Sequence, residues 1–160
     1  MTKTEFTIQP GKQELWITRW FDAPRELVFK AYTDPEAIPQ WWGPAHLSTS
    51  VEALEPRAGG QWRFVQRDPE GNFHAFHGVF HEVTAPQRIV QTFEYAGAPG
   101  HVQLETLTLE ESGGRTKMTA HSVFESVEAR DGMVAAGMEG GFNEGMERLT
   151  RLLETLKEQA

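Results

Sequence analysis

Histidine is the side chain that binds metals and moves protons near neutral pH, so the six in this chain are the first candidates for chemistry. They are His46, His74, His77, His81, His101 and His121. His77 and His81 stand four residues apart in a segment of strand character, about 13 Å at the usual rise, too far for one ion to bridge. His74 and His77 have opposite strand parity, and no His-x-x-x-His stretch falls on a predicted helix. The histidines read as surface or strand-edge residues, with a composite site from several strands left open. Zero cysteines exclude a thiol nucleophile, a disulfide framework and a Cys-based metal site. There is no G-x-S-x-G elbow and no phosphate loop of the G-x-x-x-x-G-K-[ST] type. Two charged residues inside strands remain. Glu105 shares its parity with inward-type neighbours and is either a pocket acid or a solvated strand residue. Arg19, beside Trp20, is either a pocket cation or part of a surface ion pair or cation–π contact. The sequence therefore predicts no catalytic residue, no metal site and no cofactor.

The bulk of the chain narrows the classes further. A length of 160 residues implies one domain, and 39% hydrophobic residues can fill its core. A formal charge of −8 argues against binding nucleic acid, whose phosphates are met by basic patches. The apolar runs are too short to span a bilayer. Met1 to Pro10 lacks the apolar centre of a signal peptide. The expectation is a soluble, cytoplasmic protein, as a monomer or a homodimer.

The elements that must position any site follow from periodicity and punctuation. Glu14 to Phe21 reads as a strand, broken by Asp22-Ala23-Pro24. Arg25 to Tyr32 reads as a helix, with Pro24 in its first turn. A second short helix, capped by Asp34 and opened by Pro35, closes at Trp42. Six further strands are predicted, at 47–54, 61–67, 73–83, 88–95, 102–110 and 116–124. Their short connections indicate antiparallel hairpins, because parallel strands need long crossovers. Alternation puts Trp62 and Phe64, Leu107 and Leu109, and Thr116, Met118 and Ala120 on one face. Within 73–83 one parity holds Phe76 and Phe80, the other Phe73, His77 and Val79; the first is favoured as inward. Val127 to Leu156 reads as one long helix with Ser126 as its cap. Glu147 and Arg151 form an i,i+4 pair on its polar side.

Two features point to an apolar site. Trp41-Trp42-Gly43-Pro44 ends the second short helix with two indoles, each burying roughly 150–250 Å² when packed. Trp42 is the indole expected at the rim or wall of a cavity. Gly137, Gly140, Gly141 and Gly145 fall within the predicted long helix, where each glycine costs about 1 kcal/mol relative to alanine. Gly141 and Gly145 share the apolar side with Met138 and Phe142. They either let the backbone approach the sheet closely or leave room for a guest lined by Met138, Phe142 and Met146. Trp62, Phe64, Phe76, Phe80, Phe93, Met118 and Phe124, on separate strands, are either plain core or the opposite wall of that space.

Taken together, Ala23-Pro24-Arg25-Glu26-Leu27-Val28-Phe29, Thr33-Asp34-Pro35-Glu36, Trp41-Trp42-Gly43-Pro44, Gly59-Gly60 and Gly137-Met138-Glu139-Gly140-Gly141 carry a family resemblance. The chain resembles the bacterial branch of START-like (SRPBCC, helix-grip) domains related to the activator of the heat-shock-protein-90 ATPase. The resemblance covers about Glu14 to Leu156. It implies an α+β helix-grip (START-like, Bet v-type) fold: a curved antiparallel seven-stranded sheet around a long C-terminal helix, with a hydrophobic cavity between. The implied function is binding of a small apolar or aromatic molecule. Alternatives are a chaperone-ATPase activator-like interaction protein, with a chaperone as partner, and a cyclase- or dehydratase-like enzyme using the same pocket. The companion N-terminal domain of the co-chaperone has no counterpart here, which weakens the chaperone alternative.

Overall fold

Strong β-formers in alternating runs, separated by Gly- and Pro-bearing turns, build one antiparallel sheet. A computed structural model describes residues 3–159. In chain order the elements are β1 (Glu5–Thr7), β2 (Glu14–Phe21), α1 (Arg25–Thr33), α2 (Ile38–Trp41), β3 (Ser48–Leu54), β4 (Gln61–Arg67), β5 (Phe73–Thr84), β6 (Arg88–Tyr95), β7 (Val102–Ser112), β8 (Arg115–Val123), α3 (Val127–Ala135) and α4 (Met138–Gln159). The sheet runs β1-β2-β8-β7-β6-β5-β4-β3, and every neighbouring pair is antiparallel. The curved antiparallel sheet and C-terminal helix are those expected, but the strands number eight rather than seven. The additional strand, β1, pairs Phe6 with Ile17 at the sheet edge. Three residues are too few to show an alternation, so it left no mark in the sequence pattern.

The long C-terminal helix is also divided. Gly137 takes φ +88°, a left-handed conformation that stops a helix and favours glycine. Its N–H donates to the Val134 carbonyl, closing α3. Gly137 is thus a break between two helices, not a residue within one. Ser126 caps α3 as expected, its hydroxyl accepting from the Ala129 N–H at 3.0 Å. The second short helix begins later than predicted, at Ile38, although Asp34 still caps the turn through the Glu36 N–H at 2.9 Å. Pro24 stands at the cap of α1 rather than inside it.

The inner face of the sheet carries the core. Leu15, Ile17 and Phe21 of β2, Trp62 and Phe64 of β4, Phe80 of β5, Ile89 of β6, Leu109 of β7 and Met118 of β8 are all buried there. Phe76 and Phe80 both face inward, the favoured parity. A bulge between Phe80 and Glu82 then reverses the alternation and turns Val83 to the core opposite Ile89. The helices cover this face. In α4, Met146, Leu149, Leu152 and Leu153 are buried, and the helix makes its closest approaches to α2 and α1.

Candidate functional site

Trp42 is positioned by the turn that follows it. Gly43 adopts φ +85°, a conformation that favours glycine, and a Cβ there would also displace the Gln66 side-chain amide, 1.9 Å away. α4 grips the same turn. Arg148 Nη1 donates to the Gly43 carbonyl at 2.7 Å, and Glu144 accepts from the Ala45 N–H at 2.6 Å. Thr49 of β3 donates to the Trp42 carbonyl at 2.9 Å. The two indoles part company at this point. Trp41 is buried against Tyr32, with its Nε1 donating to the Ala31 carbonyl at 2.9 Å. Trp42 turns to the sheet and lies edge-on to Phe64 at 5.1 Å, Phe76 at 5.3 Å and Trp62 at 6.5 Å.

The ring cluster continues through Phe93, 5.8 Å from Trp62 and 5.6 Å from Phe76. Gly78 makes room for it. A Cβ at Gly78 would meet the Thr92 carbonyl at 1.9 Å and Trp62 Nε1 at 2.6 Å. Trp62 therefore lies across β5 and donates to the Thr92 carbonyl of β6 at 3.1 Å. The sequence-predicted residues divide by burial. Trp62, Phe64, Phe80, Met118, Phe124 and Met146 are buried in the core, whereas Trp42, Phe76, Phe93, Met138 and Phe142 stay half-buried beside it. Phe142 reaches the edge strand, its ring 6.1 Å from Phe6.

The two glycines on the apolar side of α4 also differ. A Cβ at Gly145 would lie 3.3 Å from the Trp41 carbonyl and 3.5 Å from the Gly43 nitrogen, so this glycine permits close approach. At Gly141, one turn earlier, a Cβ would meet no neighbouring element within 4 Å.

Polar side chains cross the same inner face. The register aligns Gln91 of β6, Glu105 of β7 and Ser122 of β8, with Gln103 one inward position from Glu105. Gln103 Nε2 donates to Glu105 Oε2 at 2.8 Å, and Gln91 Nε2 approaches Oε1 at 3.3 Å. Burial pushes the Glu105 pKa up to about 7, against the two amides, which favour the charged form. Burial, then the nearby Glu105, likewise raises the Tyr32 hydroxyl above its ordinary value. Glu105 thus takes the inward place its parity predicted. Tyr32, Gln91, Gln103 and Ser122 were not foreseen, although Gln91 shares parity with Ile89 and Phe93, and Ser122 with Met118 and Ala120.

Arg19 is neither a surface residue nor a solvent-facing pair. It is buried, donating to Thr4 Oγ1 at 2.7 Å and Thr150 Oγ1 at 3.0 Å, with Glu147 at 3.7 Å. It ties β2 to α4, and Glu147 turns to it from the side of the helix that also carries Arg151. Three of the six histidines make local pairs: His74 with the Tyr95 hydroxyl at 2.7 Å, His101 with Glu125, and His121 with Glu14 at 2.6 Å while stacked on Trp16. Among the described residues no group of three or more His, Cys, Asp or Glu could hold a metal ion.

A curved antiparallel sheet, two short helices after its first long strand and a C-terminal helix over its aromatic face define a helix-grip, START-like domain. The comparisons agree with this class. Residues 22–154 match the family model described as activator of Hsp90 ATPase homolog 1-like protein, and the chain belongs to that family. Among solved structures it is similar to a Rhodobacter sphaeroides protein at 28% identity, covering 95% of this chain and 99% of that one, with a TM-score of 0.85. It is also similar to an Arthrobacter aurescens protein at 29% identity, covering 94% of this chain and 91% of that one, with a TM-score of 0.87. No curated protein matches it. No helix among the described residues is long and apolar enough to cross a membrane.

Proposed function

We propose that this chain binds a small apolar or aromatic molecule between the inner face of its sheet and the first turns of α4. The observation that carries this reading is the pairing of half-buried rings at Trp42, Phe76 and Phe93 with open surroundings at Gly141. Large rings that remain partly uncovered beside a filled core are an apolar surface awaiting a partner. A glycine in a helix interior costs about 1 kcal/mol, and at Gly141 no close backbone contact offsets it.

The test is titration with N-phenyl-1-naphthylamine, a neutral apolar fluorophore. Saturable emission enhancement is expected with the wild-type chain. Gly141→Leu, which places a side chain in the open position, is expected to lose that enhancement without lowering the unfolding temperature. Equal enhancement by both chains, or none by the wild type, overturns the reading.

One observation favours a second reading, acid–base catalysis in the same space. Glu105, pushed up to about 7, is poised for proton transfer near neutral pH. A co-purifying compound altered by wild type on incubation but recovered intact from Glu105→Gln would carry that reading; intact recovery from both removes it. A chaperone partner is the third reading, resting on the family's description. The outer-face Trp16, Trp20, Val102 and Leu104, all exposed, are the surface it would use. A chaperone ATPase rate unchanged by this protein ends it.

A further inference from the structure

A polar belt crosses the three central strands of the inner face, and its one ionisable group is acidic. Gln91, Glu105 and Ser122 sit side by side on the three central strands, with Gln103 adjoining. Apolar rows flank them: Ile89, Leu107 and Ala120 on one side, Phe93 and Phe124 on the other. Polar groups placed beneath helices cost free energy unless they are matched. Here one amide N–H of each glutamine is turned toward the carboxyl of Glu105. Each amide keeps its second N–H and Ser122 its hydroxyl, but the one charge in the belt is that of Glu105, whose carboxyl, with the two amide carbonyls, still has lone pairs to offer. The buried cation of this face, Arg19, is committed to Thr4, Thr150 and Glu147. The aromatic cluster begins one inward position away, at Phe93. Acceptors bordered by ring faces match a ligand that carries donors and positive charge on an apolar body.

We propose that Glu105, held by Gln91 and Gln103 on the inner face of the sheet, anchors the ammonium group of an apolar amine whose body lies against Phe93, Phe76 and Trp42. This rests on the binding reading above and gives the ligand's chemical class. The ammonium donates to the carboxylate and the amide carbonyls, and the apolar body covers the half-buried rings. A carboxylate ligand is disfavoured, because it would face the negative charge of Glu105. Since Glu105 exchanges its proton near pH 7, the preference for an amine strengthens as pH rises through that value.

The experiment compares dodecylamine, dodecanol and dodecanoate, below their micellar concentrations, by calorimetric titration against wild type and Glu105→Gln at pH 6 and 8. Dodecylamine is expected to bind about tenfold more tightly than dodecanol at pH 8, the scale of one charge-assisted hydrogen bond. Dodecanoate is expected to bind most weakly. The amine's advantage should shrink at pH 6 and vanish in Glu105→Gln. Binding of all three without preference, a preference for dodecanoate, or an amine preference retained in Glu105→Gln overturns the anchor and leaves the apolar site standing. No binding of any of the three removes the site and the anchor together. Tyr32→Phe, which keeps the carboxylate, should retain the amine preference; its loss there would shift the anchor from Glu105 to the phenol and overturn the assignment.

Discussion

Gly141 and Gly145 stand one turn apart on the same side of α4, and their surroundings are opposite. Gly145 is pressed against the backbone at Trp41 and Gly43, and the residues that follow it, Met146, Leu149, Leu152 and Leu153, are buried. Gly141 faces nothing within 4 Å, and its neighbours Met138 and Phe142 are only half-buried. One helix therefore serves two purposes along its length. Its C-terminal part closes the core and clamps the Trp42–Gly43 turn, while its N-terminal turns are thinly packed, with Phe142 reaching Phe6 on the edge strand. Identical residues at equivalent helical positions thus carry different physical meanings, decided by what the rest of the fold brings opposite them.

This contrast can be broken or sharpened by substitution. Leu149→Ala removes a fully buried side chain from the closed part and should cost about 2–5 kcal/mol, read from the midpoint shift in urea unfolding. Gly145→Leu forces a side chain into the backbone at Trp41 and should cost about 1–3 kcal/mol in spite of better helix propensity. An unchanged midpoint for that variant would mean that the contact yields freely and that the contrast is shallow. The pH dependence of stability comes next. Glu105 moves from an ordinary value near 4.5 to about 7 on folding, so the folded chain holds the proton more tightly. Its contribution to stability is therefore full below pH 4.5 and is lost as pH rises to 7. The slope between is at most about 1.4 kcal/mol per pH unit. Urea unfolding of wild type and Glu105→Gln across pH 5 to 8 should show the difference between them changing over that window. The smallest effect is Gly141→Ala, expected to gain about 1 kcal/mol because open space accepts the methyl group. A loss of stability there would remove the distinction between the two glycines.

Much of the fold was legible because it rests on local signals. Asp34, Ser126 and the Gly- and Pro-bearing turns announce element ends, and alternation in β4, β7 and β8 assigns the faces. β1 escaped because Glu5–Thr7 carries a single apolar residue, and its pairing is set by β2, not by its own pattern. The break at Gly137 escaped because Met138 and Phe142 resume helical spacing after it. The site was legible in part. The rings and Glu105 follow from parity, whereas the role of Gly145 depends on the distant Trp41 carbonyl, a contact no local pattern encodes. Gln91, Gln103 and Ser122 had the right parity, but polar residues in strands read as outward until their neighbours' register is known. Tyr32 closes a helix whose facing partner, β7, lies some seventy residues further along the chain.

The five tryptophans are distributed so that the molecule carries its own optical gauge. Trp16 and Trp20 are exposed on the outer face, and Trp41 is sealed in the core with its Nε1 donated to a carbonyl. Trp42 and Trp62, with ring centroids 6.5 Å apart, are the pair at the aromatic cluster. Emission from the outer pair is open to aqueous quenchers such as iodide, whereas Trp62 is shielded and half-buried Trp42 lies between the two extremes. With the outer signal quenched, the remaining fluorescence is weighted toward the inner pair and Trp41. An occupant beside Trp42 would then register as a change in that residual emission, with no label attached to the chain.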